Sequence, residues 1–323
     1  MLDGTIELPL VGTVSKKIAL IAAVVALVVL IVIVAGIRGC VRGQASSASS
    51  AAVSSASAAA SSASADAEGG IQRSALESIL GAETAQQLID QAESNEDARW
   101  IATHVDAYAF EGDTVQEKIL KLAATDPLSI PYVRHFPDSY PADDQNLDDA
   151  LAVNDGLAGT SFDTRVPHLY QWDPRWAYCD YSSTTFGLTG CGPTCMAMVS
   201  RAVGGSSMTP WDMAVRARDN GFMAQYNGTD TNFFYTEAAT EGFSCWEIPV
   251  TGEGITAALS AGQVVIANLS TGYFTQFGHF FVLTGLDGDG NVIVNDPYSV
   301  VRSSQTWEPS FIAGEAIGLY VFA

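Results

Sequence analysis

The stretch Gly190-Cys191-Gly192-Pro193-Thr194-Cys195-Met196-Ala197-Met198 sets the tightest local constraint in the chain. Proline is tolerated in the first turn of a helix, because the N–H it lacks has no partner there. Glycine on either side of Cys191 allows close backbone approach around the sulfur. The run that follows reads as a helix to about Ala202, so Cys191 stands at a helix N-terminus, where the macrodipole and unpaired N–H groups favour an anion. A thiol in that setting moves toward the thiolate, the form that attacks carbonyl carbon. The same residues also suit a buried structural or disulfide cysteine, and the local sequence leaves both readings open.

Three further segments bear on that choice. His279 is the single histidine after Cys191, set in the apolar, β-prone run Phe277-Gly278-His279-Phe280-Phe281-Val282-Leu283-Thr284-Gly285. A polar hairpin turn, Leu286 to Asn291, separates it from a returning strand, Val292-Ile293-Val294-Asn295-Asp296-Pro297. Asp296 at the end of that strand can accept from the His279 ring and fix its tautomer, as the third member of a triad does. Taken singly, His279 reads as a hydrogen-bonded core residue and Asp296 as a turn residue before proline. The ordered set of nucleophile, strand-borne base and carboxylate on the paired strand reads as a catalytic constellation. Upstream, Gln171 lies in Val166-Pro167-His168-Leu169-Tyr170-Gln171-Trp172-Asp173-Pro174-Arg175-Trp176, and its amide with the Cys191 backbone N–H can form an oxyanion hole.

These pieces together resemble the C39-like cysteine peptidases, a bacterial branch of the papain-like proteins. The resemblance rests on Val166-Pro167 with Gln171, Asp173 and Trp176, on Gly190-Cys191-Gly192-Pro193-Thr194, on Gly278-His279 and on Asn295-Asp296-Pro297, and it spans roughly the last half of the chain. It implies an α+β, papain-like fold over residues 164–323 that hydrolyses peptide bonds. It also implies Cys191 as nucleophile, His279 as base, Asp296 as its orienting partner and Gln171 as oxyanion donor, with no cofactor and no metal. Cys195 departs from the resemblance, since such domains often carry an aliphatic residue there, and it raises the question of a disulfide among Cys179, Cys195 and Cys245 or of a metal near the site, zinc being disfavoured because no Cys-x-x-Cys pair occurs.

The order of elements agrees with an α+β class. After the Cys191 helix, Thr209-Pro210-Trp211-Asp212 opens a helix to Asp219, Thr231-Asn232 opens one that stops at Glu241-Gly242, and Gly254 to Leu259 forms another. Strands are expected near Ser244–Ile248 and over Gln263–Asn268, Gly278–Leu286, Val292–Asp296 and Ala316–Phe322. Tyr170, Trp172, Trp176, Phe186, Tyr273, Phe274, Phe280 and Phe281 gather around the motifs as core residues, with a few available to line a substrate groove.

The N-terminal part follows a different logic. Residues 1–17 form a short tail, and Lys16-Lys17 precede an uncharged apolar run over 18–37, about the 20 residues needed to cross a hydrocarbon core. The next segment, 38–70, is dominated by Ser and Ala and cannot bury a core, so a disordered linker is expected. Basic residues are nearly balanced across the run, and the stalk decides the orientation: a single-pass membrane protein with its catalytic domain outside the cytoplasm. Residues 71–141 read as a small helical region of four helices, with capping boxes at Ser74–Glu77, Thr84–Gln87 and Thr114–Glu117, a start at Ser94-Asn95 and a stop at Asp126-Pro127. His104 and His135 in this region are ordinary surface or packing residues. Residues 142–163 form an acidic, turn-rich linker without the ligand order of a calcium loop.

A net charge of −21 disfavours nucleic acid as a partner. The expected partners are a peptide or protein substrate and the membrane, with the cell wall as a further candidate. Two other functions fit the same residues less directly: hydrolysis of cell-wall peptide or amide bonds, and a non-catalytic binding module.

Overall fold

The computed structural model describes residues 5–8, 12–15, 70–109, 113–142, 165–225 and 228–323. The chain divides into two units, Met1–Ala67 and Glu68–Ala323. Within the first, β1 (Thr5–Leu8) and β2 (Gly12–Ser15) pair as an antiparallel hairpin, with Thr5 opposite Ser15 and Leu8 opposite Gly12. The tail expected over 1–17 thus contains a hairpin. The apolar run over 18–37, the Ser/Ala segment up to residue 69 and the acidic segment from 143 to 163 lie outside the described residues. Among the described residues, no helix is long and apolar enough to cross a membrane.

The second unit opens with α1 (Arg73–Leu80), α2 (Ala82–Ala92), α3 (Glu96–Thr103), α4 (Asp113–Thr125) and α5 (Ile130–Ser139). Asn95 caps α3 by accepting from the N–H groups of Asp97 and Ala98 at 3.0 Å. The other expected boxes are displaced. Each of the first three helices except α3 starts ahead of its Ser or Thr, at Arg73 and Ala82, with no side-chain cap, so Ser74 and Thr84 lie inside the helices. A fifth helix, α5, appears where a stop was expected. Pro131 falls in its first turn, where proline costs no hydrogen bond, and Tyr132, Val133 and Phe136 supply a buried face that outweighs Pro137 inside it.

Next come a small hairpin, β3 (Asp180–Tyr181) and β4 (Thr184–Thr185), the short helix α6 (Phe186–Thr189) and the central helix α7 (Cys191–Val199), which continues as a π-turn over Ser200–Gly204. Then α8 (Pro210–Asp219) follows, with the reciprocal Thr209/Asp212 capping box complete. The short strands β5 (Met223–Ala224) and β6 (Gly228–Thr229) precede α9 (Asn232–Glu241), which ends on Gly242 at φ +85°, the left-handed position that suits glycine. After them come β7 (Cys245–Glu247), α10 (Gly252–Ser260), β8 (Val264–Leu269), β9 (His279–Leu286), β10 (Val292–Asn295), α11 (Val300–Ser303), β11 (Thr306–Trp307), α12 (Pro309–Glu315) and β12 (Ala316–Phe322).

Six of these strands form one antiparallel sheet in the order β11-β10-β9-β8-β12-β7. Its central strands are apolar on both faces, because both faces are covered. Val264 and Ile266 of β8, Phe280 and Val282 of β9, and Tyr320 and Phe322 of β12 share a core with α7, α8 and α9. Their alternates Val265, Ala267, Phe281, Leu283, Leu319 and Val321 share the other core with α10 and α12. This is an α+β architecture.

The helical region is not a separate domain. Its core includes Tyr170, Trp172, Ala177 and Tyr178 of the following segment. Tyr178 donates to the Tyr132 carbonyl at 3.1 Å, and the Tyr132 hydroxyl meets Thr185 at 3.2 Å. Gly187 lets Tyr132 in: a Cβ there would stand 2.6 Å from the Tyr132 ring carbon Cζ. His104 stacks on Trp100 and is exposed, as is His135.

Replacing Gly187 with Ala is expected to destabilise the chain by about 1–3 kcal/mol through overpacking of this junction. Urea unfolding of the two proteins checks it; an unchanged midpoint would mean that Tyr132 is not closely packed there.

Candidate active site

Cys191 is the first residue of α7, as its Pro193 demands, and the helix behind it is buried from Gly192 to Val199. The flanking glycines are fixed by packing. A Cβ on Gly190 would lie 2.5 Å from the Phe186 ring, and one on Gly192 would lie 2.8 Å from Thr229. Thr194 closes the turn by donating to the Gly190 carbonyl at 2.8 Å. Opposite, Gly278 at φ +89° provides the left-handed turn that launches β9, and His279 is its first residue.

The structure brings the thiol, the imidazole and the carboxylate together at one place. His279 Nε2 lies 2.8 Å from Asp296 Oδ1, and the Cys191 side chain is close enough to the ring to act on its charge. Since Nε2 is committed to Asp296, Nδ1 is the nitrogen left for the thiol. Burial works to lower the His279 pKa, but the Asp296 carboxylate and the Cys191 contact override it, and the ring is pushed up to about 9. Burial likewise acts to raise Asp296, and the Arg302 and His279 charges reverse this and hold the carboxyl below its ordinary range.

Asp296 is fully buried, and the chain surrounds it with donors. Its Oδ1 also accepts from the N–H groups of Tyr298 at 2.7 Å and Ser299 at 3.1 Å, a side-chain turn of the kind Asp favours. Arg302 Nε stands 2.7 Å from Oδ2 as an ion pair, although its N–H does not point along a hydrogen-bond line. The backbone is held too: the Asp296 N–H donates to Ser303 Oγ at 2.9 Å, and its carbonyl lies 2.9 Å from His168 Nε2. Burial lowers the His168 pKa to about 4, so the ring is neutral and donates through Nε2.

The same zipper explains why the Val166 and Asn295 motifs occur together. Asn295 donates to the carbonyls of Val166 at 3.0 Å and Pro167 at 3.2 Å. The Gln171 N–H donates to the Pro297 carbonyl at 2.8 Å, and the Trp172 indole to the Tyr298 carbonyl at 2.7 Å. Gln171 is buried against α6, the turn just ahead of Cys191, and its Nε2 donates to the Gly187 carbonyl at 3.0 Å. That bond orients the amide and uses one of its two N–H groups, leaving the second as a donor.

Arg302 and His168 were not singled out from the sequence. Arg302 carries a readable signal: it is the single Lys or Arg after Arg218, in an acidic chain, six positions past Asp296. His168 gives no comparable signal, because its role depends on where the Asp296 carbonyl falls. Of the aromatic residues assigned to core or groove, only Tyr273 is exposed, at 67%, and Phe277, two residues before His279, is exposed at 69%. Cys179, Cys191, Cys195 and Cys245 are all thiols, so no disulfide forms among them.

A cysteine at a helix head, facing a histidine–carboxylate pair carried by an antiparallel sheet, is the arrangement of a nucleophilic cysteine centre. Residues 164–315 match the model of the Peptidase_C39 like family. Among solved structures, the peptidase domain of Streptococcus ComA, described as a bi-functional ABC transporter involved in a quorum sensing pathway, aligns with 42% of this chain and 91% of its own, at 19% identity and a TM-score of 0.34. No curated protein matches the chain.

Asp296→Asn is expected to lower the His279 pKa from about 9, because the carboxylate that opposes burial is gone. An NMR titration of the imidazole reads this directly. The stability that the pair contributes is present below pH 6.5 and is lost as the pH rises through 9, and the carboxylate's share requires pH above 3.8. The gap in unfolding midpoint between wild type and Asp296→Asn is therefore expected to be widest between those lower two values and to narrow toward pH 9.

Proposed function

We propose that this chain is a cysteine peptidase that hydrolyses peptide bonds through Cys191, His279, Asp296 and Gln171. The observation that carries the reading is the placement of the Cys191 thiol, at the head of its helix, beside a His279 ring that is hydrogen-bonded to the buried Asp296 carboxylate. A ring held protonated into the alkaline range can donate its proton to a leaving group.

The thiolate attacks the carbonyl carbon of the scissile bond. The Cys191 N–H and the free N–H of Gln171 Nε2 receive the developing oxyanion. His279 then protonates the leaving amine and, in its neutral form, takes a proton from the water that hydrolyses the thioester. Asp296 keeps the ring in one tautomer throughout. Phe277 and Tyr273 stand exposed on the segment leading into His279 and offer apolar surface to a substrate side chain. The apolar run over 18–37 and the Ser/Ala segment behind it support a tethered enzyme held off the membrane on its outer side.

Cys191→Ala is expected to abolish cleavage of a peptide library while leaving the thermal midpoint within about a degree or two, since a thiol at a helix head contributes little packing. Gln171→Ala is expected to lower kcat by about 10²–10³. Cleavage that survives in Cys191→Ala would remove the peptidase reading.

A further inference from the structure

We propose that Asp126, contributed by the helical region outside the family-matched residues, is a positioning residue for the catalytic carboxylate; this rests on the peptidase reading above. Asp126 ends α4 and precedes Pro127, a place where an acidic side chain usually caps the next turn. Its side chain does not cap that turn. It reaches instead across the junction to accept the Val300 N–H through Oδ2 at 2.6 Å, while being only 2% exposed.

Val300 is the first residue of α11, and α11 carries much of what holds Asp296. Its Arg302 forms the ion pair with Oδ2, its Ser303 accepts from the Asp296 N–H, and its cap residue Ser299 donates to Oδ1. A helix of four residues has no stability of its own, so its position is set by outside ties. Asp126 is the tie at one end. The Trp307 indole, donating to the Arg302 carbonyl at 2.9 Å, is the tie at the other.

The bond at Asp126 is a costly one to maintain. The second oxygen, Oδ1, is buried with no hydrogen-bond partner among the described residues. Around the carboxylate stand the N–H groups of Val300 and Leu128, the charges of Asp296 and Arg302, and the hydroxyl-bearing rings of Tyr170 and Tyr298. Burial, with the Asp296 charge adding to it, pushes Asp126 up to about 7. The helical region therefore acts on the triad through the Asp126–Val300 hydrogen bond, beside the packing of Tyr298 and Val300 on its core.

The test uses the full chain and three variants. Asp126→Ala removes the acceptor. Asp126→Asn keeps an oxygen for Val300. Val300→Pro removes the donor, and proline suits the first position of a helix behind an extended residue such as Ser299, at φ −125° and ψ 116°. Asp126→Ala and Val300→Pro are each expected to lower kcat about tenfold or more, with KM within about twofold, the pattern of a misplaced catalytic group. The double variant is expected to be no worse than either single one, and Asp126→Asn is expected to stay within about threefold of wild type.

The His279 titration by NMR gives a readout that needs no substrate: its pKa falls in Asp126→Ala and Val300→Pro and holds in Asp126→Asn. If Asp126→Ala does not fold, Val300→Pro carries the same comparison from the other side of the bond. An unmoved kcat and an unmoved titration in Val300→Pro, or equal losses in the Asn and Ala variants, would overturn the proposal. A wild type that cleaves no peptide but whose His279 titration still shifts in Val300→Pro would sink the peptidase reading and leave the positioning role standing.

Discussion

A carboxylate with no exposure to water must be surrounded by donors, because an unpaired buried charge costs several kcal/mol or shifts to its neutral form. Asp296 meets that demand with three donors on Oδ1, an arginine beside Oδ2, and further bonds that fix its own peptide groups. The partners come from three stretches of chain: β9 supplies His279, the loop and α11 supply Tyr298 to Ser303, and the segment before Trp176 supplies His168. Removing the charge would leave all of them arranged around nothing. The imidazole's orientation and charge depend on this one group.

The surrounding architecture makes the arrangement rigid. The sheet that carries His279 and Asp296 is covered on both faces, and α7, which carries Cys191, lies buried against one of them. Phe234 of α9 fixes that face, with ring contacts to Phe280, Tyr320 and Phe322. The helical region adds a third core, continuous with Tyr170 and Trp172, that backs the loop behind Asp296. Exposed aromatic surface is left on the segment before His279, where Lys118 of α4 sits 4.2 Å over the Phe277 ring.

Much of this was legible in the chain because local rules and tertiary packing agree. Pro193 behind a glycine marks a helix start wherever it is placed, and Thr209 with Asp212 is a reciprocal cap that needs no distant partner. The apolar runs of β8, β9 and β12 read as strands because both faces are buried. Agreement failed where packing outvoted local signals. Ser74 and Thr84 carry good cap chemistry, yet the helices start earlier, since Leu76 and Ala85 must face the core. Pro137 argues against a helix, yet the burial of Tyr132, Val133 and Phe136 outweighs it.

What the sequence determined by itself was the chemistry on offer: a thiol at a helix head, one downstream imidazole on an apolar strand, and a carboxylate on the strand that returns. These follow from short-range physics, namely backbone conformation, side-chain periodicity and ionisation. The tertiary structure decided which distant groups serve them. No local pattern tells that His168 meets the Asp296 carbonyl or that Asp126 reaches Val300 from the helical region. Those contacts join residues far apart in the chain, and they exist because burying a charge forces the fold to find partners wherever packing brings them.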